Sequence, residues 1–401
     1  MRVLLFAGKG GVGKTSIAAA TALAAAKRGY RTIIISLDSA HNLSDVFEVS
    51  EGLFKVKGRP YKVRENLWLQ EIDVLEEIQR HWKDVHDYIA ALFRASGIRE
   101  ILAEELAILP GMEEVSGLLY LNGYAKKGLY DLIVLDCAPT GEAIRFVSLP
   151  TILEWYMRKF FNIERKLAKV VGPFVERLYD VPMPEDRYFE AIESLFRRLE
   201  GVEKLLSNPR VTTVRLVTNP EKIVMKETQR AFLYFSLYGL CVDGVVINKV
   251  FPPSPRNQFL KGWRSLQEGY ISEFEKYFSP VPILQLPLYE QEVRGMKSLE
   301  RLAEDLYGGR NPLEVFHRDP PYHLTKVDGR YELRVQLPFV EKGEINLSKK
   351  GDELIIKVGV FRRHVLLPKR MAVFEPQKAK IEGKVLIITF GGREDGKKKR
   401  S

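Results

Sequence analysis

The stretch Gly8-Lys9-Gly10-Gly11-Val12-Gly13-Lys14-Thr15 decides the fold; Arg2-Val3-Leu4-Leu5-Phe6-Ala7 precedes it, and the alanine-rich Ser16 to Lys27 follows. An apolar run, a glycine loop and a helix-forming segment in this order are the strand, loop and helix of a phosphate-binding site. Glycines let successive backbone N–H groups turn inward around an anion, where a Cβ would obstruct them. The helix starting near Lys14 adds its positive end. Gly8, Lys9, Gly10, Gly11, Val12, Gly13, Lys14, Thr15 and Ser16 are therefore the candidate nucleotide-binding residues. Lys14 is expected at the β- and γ-phosphates and the Thr15 hydroxyl on Mg²⁺.

The 401 residues are 45% hydrophobic and include 21 Phe and 17 Tyr, enough for a large core and two or three domains. The 2 cysteines, Cys137 and Cys241, are far apart and lack metal-ligand spacing. Neither a disulfide framework nor a zinc site is expected, and a cytoplasmic location fits. The N-terminus reads as the strand before the loop, so no signal peptide is expected, and no apolar run is long enough to cross a bilayer. The net charge of +10 reads as spread along the chain. Its one run, Lys397 to Arg400, reads as a disordered solubilising end. Charge alone does not call for nucleic acid, and none is expected as a partner.

Further along, Arg31 to Leu37 reads as a second buried strand, ending in Asp38-Ser39-Ala40-His41-Asn42-Leu43-Ser44-Asp45. Ligands of open α/β sheets bind beyond the carboxyl ends of the strands, so Asp38 is placed to orient water or hold the Mg²⁺ shell. Leu132 to Leu135 is a third strand, ending in Asp136-Cys137-Ala138-Pro139-Thr140-Gly141-Glu142. An Asp at such a strand end supports Mg²⁺, which pairs Asp136 with Thr15 as metal residues. Pro139 and Gly141 stiffen and then free a loop, as a phosphate-sensing switch requires. Val211 to Val217 and Val242 to Ile247 are further strands, the second ending at Asn248, whose amide can read an adenine edge.

Lys9 makes the first loop unusual. It resembles the deviant Walker A loop of a class of dimerising ATPases, in which the extra lysine reaches the partner's nucleotide. The segment Asp38 to Asp45 is similar to the switch I of arsenite-pump and tail-anchored-protein-targeting ATPases, with Ser39 in place of their proline. Asp136 to Glu142 is similar to their switch II, with Cys137 replacing Thr and Glu142 replacing His. The resemblance implies a homodimer with ATP and Mg²⁺ as cofactors and no zinc, since the paired cysteines of the targeting members are absent. It makes Lys9 and Lys14 catalytic through phosphate charge and Asp38 catalytic through water, with Asp45, Pro139 and Gly141 in the switches. It further implies Glu221 and Asn248 at the nucleotide, Pro287 beside the base, and Glu227, with Lys9, at the dimer partner. On residue type alone, ordinary helix-face carboxylates are the alternative for Glu221 and Glu227.

Two stretches interrupt the sheet. Asp73 to Ala95 starts on Asp73 as an N-cap with Glu76 at the capping-box position, and His81 and His86 read as solvated. Ile152 to Leu178 carries a broad apolar stripe with basic residues on the remaining face. It reads either as a helix packed on the core or, as in the family, as a hydrophobic client surface; a helix lying on a membrane is a third reading. From Tyr322 to Phe390, short alternating strands point to a β-sandwich, with a hairpin turn at Lys350-Gly351-Asp352. The segments around Leu347 to Leu354, Leu367-Pro368 and Ala379 to Leu386 resemble an α-crystallin-like (small heat-shock) domain, acting as a docked cap or as a holdase surface.

The expected fold is thus an α/β P-loop NTPase with a mostly parallel, doubly wound sheet and helical insertions, plus a C-terminal all-β sandwich. The ATPase domain is expected over 1–307, with a helical client subdomain from about 70–125 and 151–205. A linker at 308–319, the sandwich at 320–391 and a basic tail at 392–401 follow. The expected function is a dimeric Mg²⁺-ATPase opening and closing a site for hydrophobic or membrane-protein clients, with at most transient membrane contact. Its alternatives are an arsenite-pump ATPase subunit, for which soft thiolate ligands are missing, and a partitioning-type nucleotide switch.

Overall fold

The computed structural model describes residues 1–38, 42–49, 52, 55–95, 99–108, 111–161, 186–253, 258–327 and 330–391. The strands of the α/β part are β1 (Arg2–Ala7), β2 (Thr32–Ser36), β3 (Tyr61–Arg64), β4 (Leu67–Glu71), β5 (Leu132–Asp136), β6 (Thr212–Thr218), β7 (Val242–Val250) and β8 (Ile283–Pro287). Their pairing is mostly parallel, with β3 antiparallel to β4. The chain divides into two compact units: residues 1–205 with 286–314, and residues 206–285 with 315–401.

In the first unit the strands run β3-β4-β2-β5-β1. Every residue of β1, β2 and β5 is buried, because helices cover both faces and only continuous Val/Ile/Leu runs tolerate that. Each large aliphatic side chain so buried contributes about 1.5–3 kcal/mol. The helix Lys14–Lys27 buries Ile17, Leu23 and a run of alanines, and Thr21 Oγ1 lies 2.6 Å from the hydroxyl of Tyr307 on the helix Gly295–Tyr307. The hairpin β3–β4 has no counterpart in the strands read from sequence. Its edge strand Tyr-Lys-Val-Arg is polar and only partly buried, and Asn66 turns it at φ 60°.

The helical insertion of this unit starts as expected on Asp73, whose Oδ1 accepts from the N–H groups of Leu75 (3.0 Å) and Glu76 (3.2 Å). Glu76 does not complete a capping box; its carboxylate ion-pairs with Lys57 and Arg80 instead. A π-helical turn, Ile78–Trp82, then separates this first turn from the helix Lys83–Ala95. The two histidines are part-exposed rather than freely solvated: His81 faces Glu77 and Arg198, and His86 lies 3.1 Å from the Glu104 carbonyl. The second insertion is continuous with the switch. One helix runs from Thr140 to Tyr156, with Pro150 inside it, and passes into the π-helical turn Met157–Phe161. The rest of the stripe read over Ile152 to Leu178 lies outside the described residues.

In the second unit β6 and β7 pair in parallel, and β7 extends two residues past Asn248. The C-terminal strands are β9 (Tyr322–Val327), β10 (Arg330–Gln336), β11 (Ile345–Lys350), β12 (Glu353–Val358), β13 (Phe361–Leu366), β14 (Pro376–Glu382) and β15 (Val385–Phe390). They form two antiparallel sheets, β14-β15-β10-β9 and β11-β12-β13, the sandwich read from the alternating pattern. Gly351, at φ 63°, makes the expected hairpin turn between β11 and β12. The sandwich core, Leu333, Val335, Leu354, Ile356, Ile388 and Phe390, also takes in Leu233 and Leu237 from the helix Lys222–Leu237. The Tyr234 and Phe361 rings lie 4.0 Å apart, and Lys384 Nζ donates to the carbonyls of Tyr277 and Ser279. Beneath, Arg215 and Asp243 form a fully buried ion pair, with Phe316 over the guanidinium at 4.3 Å.

Candidate functional site

The loop Gly8 to Thr15 leaves the carboxyl end of β1 and enters the helix Lys14–Lys27. Gly11 (φ 78°) and Gly13 (φ 97°) are left-handed, and nothing lies within 4 Å of a Cβ built on Gly10 or Gly11. At Gly11 it is thus backbone conformation, not crowding, that demands glycine. The helix has no side-chain cap and no acidic residue in its first turn. Its leading N–H groups are therefore left for an anion. Lys14 is buried, and its Nζ donates to the Lys9 carbonyl across the loop at 3.2 Å. The Lys9 side chain itself is part-exposed.

β5 lies between β1 and β2, with Asp136 in register with Phe6 on one side and Ser36 on the other. Backbone bonds from Leu37 to Asp136 and from Cys137 to Phe6 hold the three strand ends together. Asp136 is 1% exposed, and one of its oxygens, Oδ1, has no hydrogen-bond partner among the described residues. Burial pushes its carboxyl up to about 7, with Asp38 adding to the shift and the Thr15 hydroxyl and Lys14 opposing it. A buried carboxylate with an idle oxygen beside a hydroxyl is a donor set for a hard divalent cation that keeps its other positions for water and phosphate. Among the described residues no three His, Cys, Asp or Glu cluster as a protein-only cage. The buried Asp136 carboxylate and the Thr15 hydroxyl fit Mg²⁺ held jointly with a nucleotide.

Asp38 stands just past β2, part-exposed, and Ser36 Oγ accepts from its N–H at 3.3 Å. The reading from sequence missed Ser36, whose one signal is its place as the last polar residue of an otherwise aliphatic strand. Glu71, at the end of β4, was missed likewise; its Oε1 accepts from the Ser44 N–H at 2.9 Å. That bond anchors the helix Asn42–Phe47, on which Asp45 is exposed. Ser39 to His41 lie outside the described residues. After Asp136, Cys137 is fully buried and its thiol is pushed far up by burial and by Asp136, so it packs rather than reacts. Pro139 caps the helix Thr140–Tyr156, with Gly141 in its first turn, and Glu142 reaches Arg145 at 3.6 Å. Arg145 also meets Glu114 of the helix Met112–Lys127, which ties the switch to the helical insertion.

These groups are brought together in the first unit: the loop, Lys14, Thr15, Asp38 and Asp136. Pro287 ends β8, exposed. Glu221, Glu227 and Asn248 belong to the second unit. Glu221 is the exposed, extended residue before the helix Lys222–Leu237, and Glu227 is half-buried on that helix. Asn248 is buried, and its Oδ1 accepts from Lys249, which sits at φ 59°.

A family model described as "Anion-transporting ATPase" matches residues 1–308, and one described as an HSP20-like domain found in ArsA matches 328–390. A protein of Aquifex aeolicus called putative arsenical pump-driving ATPase 1 is 49% identical over 97% of this chain and 99% of its own length. A putative arsenical pump-driving ATPase of Chlorobaculum tepidum is 38% identical over 100% of this chain and 98% of its own. An ATPase ASNA1 homolog of Paramecium tetraurelia is 28% identical over 76% of this chain and 92% of its own.

Proposed function

The chain belongs to the anion-transporting ATPase family, and on that premise we propose that it is a dimeric, Mg²⁺-dependent ATPase whose cycle opens and closes a hydrophobic client site. ATP hydrolysis follows from the family itself; the division of labour, the dimer and the client are our reading. The observation that carries the reading is the convergence of Lys14, Thr15, Asp38 and Asp136 at the adjoining ends of β1, β2 and β5. Bound ATP and Mg²⁺ supply the phosphoanhydride and its charge neutralisation. Lys14 exchanges its contact with the Lys9 carbonyl for the phosphates, and the loop N–H groups cradle them. Thr15 would hold the cation through its hydroxyl and Asp136 through its carboxylate. Asp38 orients the attacking water, and Ser36 keeps its backbone in place. In this reading Lys9 serves the partner's nucleotide, and Glu221, Asn248 and Pro287 hold the base side.

The client reading is supported by exposed aliphatic residues on the helical insertion: Leu102 and Leu106 on the helix Glu100–Leu106, then Ile108. Leu102 and Leu106 share one helix face at i, i+4. The Arg145 contacts to Glu142 and Glu114 give the switch a direct hold on this insertion. The names of two relatives favour a second reading, an ATPase subunit driving an arsenical pump. Against it, both cysteines of the chain, Cys137 and Cys241, are buried, and a soft metalloid needs accessible thiolate. The test is Asp38→Asn held with ATP and Mg²⁺, followed by recovery of bound proteins. Recovered proteins with hydrophobic segments support the client reading. An empty trap, with wild-type turnover stimulated by arsenite, would replace it with the pump reading.

A further inference from the structure

The net charge, read from the sequence as spread along the chain, is concentrated at one end. Residues 320–401 hold 19 Lys and Arg against 10 Asp and Glu, so they account for nine of the ten net positive charges. On the sandwich, three of the cations, Lys350, Lys357 and Arg362, share the outer face of the sheet β11-β12-β13. The inward positions of β12 are Leu354, Ile356 and Val358, which leaves Glu353, Ile355 and Lys357 facing out. Register then sets Lys357 directly opposite Arg362, Ile355 opposite Ser348 and His364, and Glu353 opposite Lys350 and Leu366. Like charges directly opposite in a sheet repel. No carboxylate is within ion-pair distance of Lys350, Lys357 or Arg362 among the described residues, and Glu353, the one acid on the face, is buried against His364.

The exposed apolar side chains beside this pair are aliphatic. Val360, at the tip of the β12–β13 turn beside Lys357 and Arg362, is 84% exposed, and Leu366, at the far end of β13, is 40% exposed. Phe361, the aromatic nearest the tip, points inward against Tyr234. A single-stranded nucleic acid would want aromatic stacking platforms on such a face. A flat cationic surface with a projecting aliphatic turn instead suits a layer of anionic headgroups over hydrocarbon. We propose that the outer face of β11-β12-β13 binds an anionic lipid bilayer surface, with Lys350, Lys357 and Arg362 on the headgroups and Val360 entering the interface.

The test is flotation of the full chain with phosphatidylcholine vesicles, with and without phosphatidylglycerol. The wild type floats with the anionic vesicles only. Lys357→Glu combined with Arg362→Glu weakens that binding by at least about thirtyfold, whereas the charge-keeping pair Lys357→Arg and Arg362→Lys retains it. Val360→Asp also releases the vesicles while leaving retention on heparin unchanged, which separates a bilayer from a generic polyanion. ATP turnover equal to wild type in each variant reports an intact fold. Binding unaffected by the double reversal, equal binding to both vesicle types, or heparin binding without vesicle binding would overturn the proposal. So would a chain ending at Gly391 that loses all vesicle binding, since the charge would then act from the tail rather than the sheet.

Discussion

Two residues in the first unit are set by their surroundings in opposite ways. Asp136 is buried with an idle oxygen, and Asp38 is part-exposed on a pinned backbone. On that contrast rests our proposal that the first holds the metal and the second the water. Asp38→Asn is therefore expected to retain ATP binding while turnover falls by roughly a hundredfold or more; equilibrium nucleotide binding beside steady-state turnover separates the two. In the helical insertion, burial and the nearby Arg198 and Arg80 lower His81 from 6.5 to about 4. The unfolded chain therefore takes the proton first, and this contribution to stability, full above pH 6.5, is lost as pH falls towards 4. The loss amounts to at most about 3 kcal/mol. Glu77, facing His81 and raised by its own burial, works the other way, because its folded carboxyl gains a proton on acidification. Denaturant unfolding at neutral and mildly acidic pH should show a shallower acid loss in His81→Gln than in the wild type. The P-loop, Asp38 and Asp136 were legible because their chemistry depends on local spacing. Ser36, Glu71 and the His81 environment were not, since each acts through a partner distant in sequence.

At the scale of elements, the helix Lys222–Leu237 carries two loads. Glu221 and Glu227 lie at its start and Leu233, Tyr234 and Leu237 at its end, inside the sandwich core. Leu237 is fully buried, so Leu237→Ala should cost about 2–5 kcal/mol. Because the core is shared, the sandwich and this helix are expected to melt together. Hydrogen exchange that slows or quickens in both at once would agree, and an independently melting sandwich would not. This docking was invisible to periodicity. Pattern shows that a helix has an apolar face, not which element covers it. The edge strand β3 escaped for a related reason: it is short, polar and partly exposed, and only the neighbouring β4 makes it a strand. The π-helical turns at Ile78–Trp82 and Met157–Phe161 were likewise not read, because an apolar stripe marks a segment as helical without fixing which backbone hydrogen bonds it makes.

For the whole molecule, an ATPase core and an HSP20-like module make up one chain, and we read it as a dimer that couples phosphate chemistry to an exposed aliphatic surface. Among the described residues no helix is long and apolar enough to cross a membrane. The bilayer contact we propose is made by the charged face of the sandwich. The order of the motifs made β1, β2, β5, β6 and β7 legible, while β3 and β4 were not. The concentration of charge was equally present in the sequence, but it acquires meaning only when β-register places Lys357 beside Arg362. The dimer is the central claim, and complementation between two disabled variants tests it most directly. Lys9→Ala keeps its own water-orienting Asp38 but gives no lysine to a partner, whereas Asp38→Asn gives the lysine but cannot turn over. Each alone should be nearly inactive, and an equimolar mixture allowed to exchange subunits should recover about a quarter of wild-type ATP turnover, since half the dimers then hold one complete site. A mixture no more active than its separate components would contradict the account.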